Sequence, residues 1–184
     1  MGTANAEKAI AEKQFFSLED YVQNPPDGME WVEGYLVEKN GMTLTHGEVQ
    51  LNLGSLWKIY ATTSGQGGKV YTEAPCRTNK QGRRPDVAYL TPELVAKYGK
   101  EAVLPVSFPL VAEIASPNDL AEDFFAKAKE YLESGSQEVW LILPENKWIF
   151  VITQTQKVWF GAGEVAKTQA VLQGFTVTID ELMA

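Results

Sequence analysis

Two acidic side chains interrupt apolar segments of the chain, and a lysine follows them. Asp86 opens the strand-like segment 86–90, and Glu113 lies inside the apolar run 108–115. Burying a lone carboxylate costs several kcal/mol unless it is paired or binds a cation. Carboxylate oxygens are ligands that suit Mg²⁺ or Mn²⁺, and a nearby ammonium such as Lys127 can orient or deprotonate an attacking water. These residues predict metal-assisted phosphodiester hydrolysis.

The same charges also have a purely structural interpretation. Asp123 and Lys127 are four residues apart, which is the usual spacing of a surface ion pair on a helix. Glu113 and Lys127 could instead form a buried ion pair with no site around them. A metal site requires Asp86 and Glu113 to share one cation and Lys127 to lean back toward Glu113.

Cationic residues are concentrated shortly before Asp86. They are Lys69, Arg77, Lys80, Arg83 and Arg84, with Glu73 the only acid among them. Arg77, Lys80, Arg83 and Arg84 are candidates for the approach of a phosphate backbone, and the alternative is a solvated hairpin. The net charge of −8 argues against a protein that coats nucleic acid through bulk charge, but it allows a local basic surface.

Two further residues could support the site. Glu30 lies in a predicted hairpin, where it either is exposed or points toward Asp86. His46 is the only histidine, at the first turn of a predicted helix. It is a cap or surface residue, or a neutral imidazole that contacts phosphate or a bound ligand. A single histidine excludes sites with two His ligands, and the single Cys76 excludes an intrachain disulfide or a cysteine zinc site.

Hydrophobic periodicity and turn residues predict the elements that position these side chains. A short helix starts at Ser17, a hairpin covers 29–38, and a longer helix begins at a capping box, Thr45–Glu48. Strands are predicted over 69–75, 86–90, 108–115, 138–143, 147–153, 157–160 and 174–177, helices after Thr91 and over 120–134, a turn-rich connection over 76–82, and a closing turn at 180–182.

Length and composition are typical of one globular unit. The 184 residues predict a tail over 1–14 and a single domain over 15–184. No apolar run approaches the ~20 residues of a membrane span. The N-terminus lacks the apolar core of a secretory signal. Because the single cysteine allows no intrachain disulfide, a reducing cytoplasm is the predicted location.

Several short motifs occur in a shared order. They are Glu30 with Val32-Glu33-Gly34, His46 at a helix start, Arg84-Pro85-Asp86-Val87, the run 111–117, Asp123 with Lys127 and Tyr131, Gly135, Glu138-Val139-Trp140, and the ending Gly174-Phe175 with Leu182. In these motifs the chain resembles the Uma family of restriction-endonuclease-like proteins, placed in the PD-(D/E)XK nuclease superfamily. The likeness runs from about residue 17 to the end.

This resemblance implies an α/β fold with a restriction-endonuclease-like core, in which helices flank a central mixed sheet, with an N-terminal helix and hairpin. It implies metal ligation by Asp86 and Glu113, helped by the backbone carbonyl of Ile114, and self-association, with a homodimer expected. The superfamily lysine normally follows the acid by two residues, where this chain has Ala115. Lys127, four residues before Tyr131, is the match on the next helix, and Lys129 is the competitor.

Two functions of different classes follow. The first is a Mg²⁺- or Mn²⁺-dependent DNA endonuclease with Asp86, Glu113 and Lys127 as its catalytic residues. The alternative is a catalytically silent nuclease-like module that binds nucleic acid or a protein partner. The presence of Asp86, Glu113 and Lys127 together favours the endonuclease.

Overall fold

The computed structural model describes residues 16–39, 42–117 and 119–184, so the predicted tail lies outside the described residues. The N-terminal part contains α1 (Leu18–Gln23), β1 (Met29–Val32), β2 (Tyr35–Glu38) and α2 (Leu44–Thr63). The middle contains β3 (Lys69–Thr72), β4 (Cys76–Arg77), β5 (Gly82–Arg83), β6 (Val87–Leu90), α3 (Pro92–Tyr98) and β7 (Leu110–Ile114). The C-terminal part contains α4 (Ala121–Glu133), β8 (Glu138–Leu143), β9 (Trp148–Thr153), β10 (Lys157–Phe160), β11 (Val165–Lys167), β12 (Thr176–Thr178) and α5 (Ile179–Leu182).

The central sheet has six strands in the order β10-β9-β8-β7-β6-β3. Strands β7 and β8 pair in parallel, connected through α4, whereas the other neighbours pair antiparallel. In the β6–β7 pair, Val87 lies opposite Ala112. One step further in the same register, Asp86 comes opposite Glu113. The sheet therefore brings the two acids to one end of neighbouring strands.

Apolar side chains cover both faces of this sheet. Along β6, Val87 and Tyr89 pack into the cluster that contains α2, whereas Ala88 and Leu90 pack into the cluster that contains α4. This is the alternation expected of a strand buried on both sides. Strand β7 is likewise buried at every residue, as its continuous apolar run predicts.

A smaller sheet carries the N-terminal hairpin. Its order is β2-β1-β5-β4, so β2 is an edge strand. The predicted tight turn is confirmed, because Glu33 and Gly34 both have positive φ values, 51° and 93°. Through the pairing of Trp31 with Gly82, the hairpin lies beside the segment that leads into Asp86.

Some predicted boundaries are wrong. The cap of α2 is Thr43, whose hydroxyl accepts from the backbone N–H of His46, so the helix starts before the predicted capping box. The predicted strand over 69–75 ends at Thr72, because Glu73 adopts a left-handed φ of 52°.

Local patterns also failed to find four short elements. The predicted turn-rich connection contains β4 and leads into β5, and β11 was not predicted. The predicted closing turn is the short helix α5. Within the described part of the chain, no helix is both long and apolar enough to cross a membrane.

Candidate active site

Asp86 lies where three parts of the fold meet. It is only 1% exposed. Its Oδ2 accepts a hydrogen bond from the backbone N–H of Ile114 at 2.6 Å, and His46 Nε2 lies 3.3 Å from the same oxygen. Lys39 Nζ donates to Oδ1 at 2.5 Å. The carboxylate is therefore held by the hairpin side, by α2 and by the end of β7.

Lys39 and Glu73 lie on the outer side of Asp86. Lys39 Nζ is 3.0 Å from both carboxylate oxygens of Glu73 and 2.6 Å from the backbone carbonyl of Arg84. Gln50 on α2 donates to Glu73 Oε1 at 3.0 Å and to the Asp86 backbone carbonyl at 2.9 Å. One ammonium thus lies among four oxygen atoms, three of them from carboxylates.

Glu113 is held by two side chains of α4. Lys127 Nζ lies 3.2 Å from Glu113 Oε2, and the Tyr131 hydroxyl donates to Oε1 at 2.7 Å. Lys127 and Tyr131 are four residues apart, so they share one face of the helix. The geometric expectation that Lys127 leans back toward Glu113 is confirmed.

Glu30 connects this group to the hairpin. Its Oε1 accepts from Lys127 Nζ at 3.3 Å and from the backbone N–H of Arg84 at 2.9 Å. Its Oε2 pairs with Arg83 Nη1 at 3.0 Å, and Arg83 Nη2 also pairs with Glu130 on α4 at 2.6 Å. These contacts form a continuous ion network from the hairpin to α4.

Attraction between the buried charges determines the pKa values around Asp86. Burial alone would raise the pKa of Asp86, but Lys39 and His46 lower it well below its usual range. Burial also opposes the charge on Lys39, yet the surrounding carboxylates, with Asp86 the strongest, raise its pKa. Burial lowers the pKa of His46, but the hydrogen bond and charge of Asp86 raise it above the ordinary value. The shift in the His46 pKa is therefore opposite to the one expected for an imidazole at a helix N-terminus, because the adjacent Asp86 carboxylate favours the protonated form.

The pKa values of the other carboxyl groups shift in two opposite directions. Burial raises the pKa of Glu113, although Lys127 and Lys39 oppose the shift. Burial also raises the pKa of Glu73, to about 7. For Glu30, burial is outweighed by Lys127 and Arg83, so its pKa is lowered. As the pH falls toward neutral and below, Glu73 and Glu113 therefore bind protons before Asp86 and Glu30 do.

Comparison with known proteins places this network in a family. A family model described as "Uma2: Putative restriction endonuclease" matches residues 13–180. The chain belongs to the Uma2 family. The match includes every residue of the network described above. No curated protein matches the chain.

Solved structures bear on the fold of this Uma2 protein. The crystal structure of a protein described as a "putative nuclease belonging to DUF820", from Anabaena variabilis, is 17% identical with a TM-score of 0.79. The similarity covers 90% of this chain and 96% of that one. At this identity it shows the fold alone, and it confirms the expected mixed sheet flanked by helices. A DrdV–DNA complex is 16% identical with a TM-score of 0.38, covering 58% of this chain and 9% of that one, which is too low to carry weight.

Six of the predicted site residues of this Uma2 protein come together. They are Glu30, His46, Asp86, Glu113, Lys127 and Tyr131. Asp123 does not join them, because it is exposed on α4 and Lys127 pairs with Glu113 and Glu30 instead. Lys129 is also excluded as the site lysine, since it is exposed and lies 3.7 Å from Glu133.

The predicted basic approach needs correction. Arg83 and Arg84 are each only 9% exposed, so they do not form an open phosphate-facing surface. Arg83 pairs with the carboxylates of Glu30 and Glu130, and the Arg84 guanidinium donates to three backbone carbonyls around the hairpin. Arg77 is partly exposed but pairs with Glu19 at 3.1 Å, and Lys80 is exposed. Arg77 and Lys80 stay predictions for the approach of nucleic acid.

The sequence interpretation missed Lys39, Gln50 and Glu73. Lys39 directly follows the hairpin, where an exposed lysine is ordinary, and Gln50 lies on α2 four residues after His46. Glu73 offered the clearest signal, since it is the only acid inside the basic cluster. Their role becomes visible only after the hairpin, α2 and β3 are placed around Asp86.

The oxygen atoms around Asp86 suit a hard divalent cation. Within the described ranges, no three His, Cys, Asp or Glu side chains converge as a ready metal cage. Mg²⁺ nevertheless needs only one or two carboxylates, because waters and substrate oxygens complete its shell. The Lys39 ammonium already marks a cation position between Asp86 and Glu73. The residues present therefore fit a hard divalent cation. Ile114 contacts Asp86 through its N–H, and its carbonyl stays a predicted ligand.

Proposed function

We propose that this protein is a Mg²⁺- or Mn²⁺-dependent endodeoxyribonuclease. The observation that carries the proposal is the convergence of Asp86, Glu113 and Lys127. They come from separate parts of the chain, and Asp86 comes opposite Glu113 in the β6–β7 register. Lys127 reaches Glu113 from α4 at 3.2 Å. Membership of a family described as restriction endonucleases supports the same reaction and DNA as its substrate.

The proposed roles follow from the chemistry of each group. Asp86 and Glu113 would hold the metal, together with the backbone carbonyl of Ile114. When bound, the metal would supply positive charge next to the phosphate oxygens and would lower the pKa of a bound water. The Asp86 carboxylate suits this role, because it stays ionised throughout the physiological pH range.

Lys127 and Tyr131 act next to the metal ligands. The Lys127 ammonium holds the attacking water and steadies the negative charge that develops on the phosphate. The Tyr131 hydroxyl fixes the orientation of Glu113 through its 2.7 Å hydrogen bond, so Tyr131 is a positioning residue. Glu30 keeps Lys127 in place from the hairpin side.

Cleavage of supercoiled and linear DNA in Mg²⁺ or Mn²⁺ tests the proposal. Wild type should nick or linearise the plasmid, and Asp86→Ala and Glu113→Gln should lose this activity while keeping the circular dichroism of the folded protein. Glu101→Ala, which alters an exposed acid away from the network, is the matched control and should cleave like wild type. If wild type cleaves no DNA form in either metal, the nuclease proposal fails.

Such a failure with retained DNA binding would leave the catalytically silent module as the function. Gel-shift titration of the same proteins separates these cases. The expected homodimer stays a prediction, and sedimentation velocity of the free protein tests it.

A further inference from the structure

The contacts of Lys39 resemble those of a bound metal ion. Its ammonium lies among one oxygen of Asp86, both oxygens of Glu73 and the backbone carbonyl of Arg84. An ammonium has three protons to donate, so this set offers more acceptors than one lysine can satisfy. Carboxylate and carbonyl oxygens are the ligands that hard divalent cations take. The set therefore contains oxygen types that a divalent cation binds as well as acceptors for an ammonium.

Lys39 is anchored in a way that lets its side chain leave. Its backbone N–H donates to the carbonyl of Gly28 at 2.9 Å, so the main chain at this position is fixed. It follows β2, an edge strand with three of its four residues exposed. The lysine stem has several rotatable bonds, and the side chain is 19% exposed. Withdrawal of the ammonium therefore needs only side-chain rotation toward solvent.

We propose that the Lys39 ammonium and a divalent cation are alternative occupants of this position, with Glu73 as a further metal ligand beside Asp86. This inference rests on the proposed metal-dependent function. In the metal-free protein, Lys39 compensates the charge of Asp86 and keeps the site closed. Entry of the metal displaces Lys39, so the lysine lowers the apparent affinity of the site for metal.

Metal binding without DNA tests the exchange. Mn²⁺ affinity is measured by calorimetry and by electron paramagnetic resonance at pH 7, for wild type and Lys39→Met. If Lys39 occupies the position more than nine-tenths of the time, its removal should tighten Mn²⁺ binding by about tenfold or more. Lys129→Met removes the same charge from an exposed position and should stay within about twofold of wild type.

Double variants show which residues provide the added Mn²⁺ affinity of Lys39→Met. Lys39→Met with Glu73→Gln should lose most of the added affinity, and Lys39→Met with Asp86→Ala should lose Mn²⁺ binding.

Thermal unfolding gives a second readout. Lys39→Met should melt below wild type without metal, because Asp86 and Glu73 lose their cation, and Mn²⁺ or Ca²⁺ should restore its melting temperature. If the variant does not fold alone, refolding in Ca²⁺ should recover it.

The results separate the two proposals. Equal Mn²⁺ affinity in wild type and Lys39→Met overturns the exchange but leaves the metal-dependent function standing. Absence of Mn²⁺ binding in both proteins overturns the exchange and the proposed metal dependence together. Failure of divalent cations to restore Lys39→Met also overturns the exchange.

Discussion

Lys127→Met is the sharpest test of the buried ion network. The ammonium lies 3.2 Å from Glu113 Oε2 and 3.3 Å from Glu30 Oε1, and both glutamates are almost fully buried. Glu30 keeps Arg83 and a backbone N–H after the substitution, whereas Glu113 keeps only the Tyr131 hydroxyl as a hydrogen-bond donor among the described contacts. Glu113 is therefore the carboxylate that loses its compensation.

Removal of one partner from a buried ion pair costs about 3–5 kcal/mol. The Lys127 side chain is 20% exposed, so water relieves part of this cost. We therefore expect a loss of about 3 kcal/mol in the free energy of unfolding near neutral pH. The loss should shrink as the pH falls toward about 5, because Glu113, whose pKa burial already raises, binds a proton in the folded variant.

Urea unfolding of wild type and Lys127→Met at about pH 5 and pH 8 measures both effects. Lys129→Met is the matched control on the same helix, and it should change stability by less than about 0.5 kcal/mol at either pH. A loss below about 1 kcal/mol that is equal at the two pH values would show that the ammonium is not held between buried carboxylates.

Two further substitutions test neighbouring groups. Burial raises the pKa of Glu73 to about 7, so the folded protein retains this proton where the unfolded chain releases it, and wild-type stability should fall as pH rises from about 5 to 7. In Glu73→Gln, urea unfolding should show a smaller loss of stability over the same pH range. A pH dependence equal to that of wild type would contradict the raised pKa of Glu73. Tyr131→Phe removes the 2.7 Å hydrogen bond to Glu113 and should cost about 1–2 kcal/mol in thermal unfolding together with slower DNA cleavage. Full stability and full activity in Tyr131→Phe would refute its positioning role.

The strand pattern predicted the main architecture because a strand that is buried on both faces contains a nearly continuous run of apolar residues. The apolar run of β7 and the alternation along β6 placed Asp86 and Glu113 on strands that proved to be neighbours. Lys127 could be predicted because the family resemblance places the lysine four residues before Tyr131, and this spacing puts both side chains on one helix face. Periodicity alone left a surface ion pair of Asp123 and Lys127 as an alternative.

Long-range pairing explains what the sequence did not predict. Lys39 and Asp86 are 47 residues apart, and only the docking of the hairpin brings them together. Glu73 ends β3 in a left-handed conformation that its neighbours Thr72 and Ala74 do not signal. Arg83 looks like a surface residue in a basic cluster, yet Glu30 and Glu130 from distant segments compensate its burial. Charge clustering along a chain therefore does not determine which charges face solvent.

The network separates into a part that supports the fold and a part that can exchange its cation. Glu30 is satisfied by Arg83, by Lys127 and by a backbone N–H, so removal of any one donor leaves the others in place. Asp86 depends mainly on Lys39 for full charge compensation, since His46 is farther away and its charge varies with pH. A metal ion that replaces Lys39 therefore keeps Asp86 compensated, while Arg83 continues to hold the hairpin against α4. This division allows the site to open without loss of the fold around it.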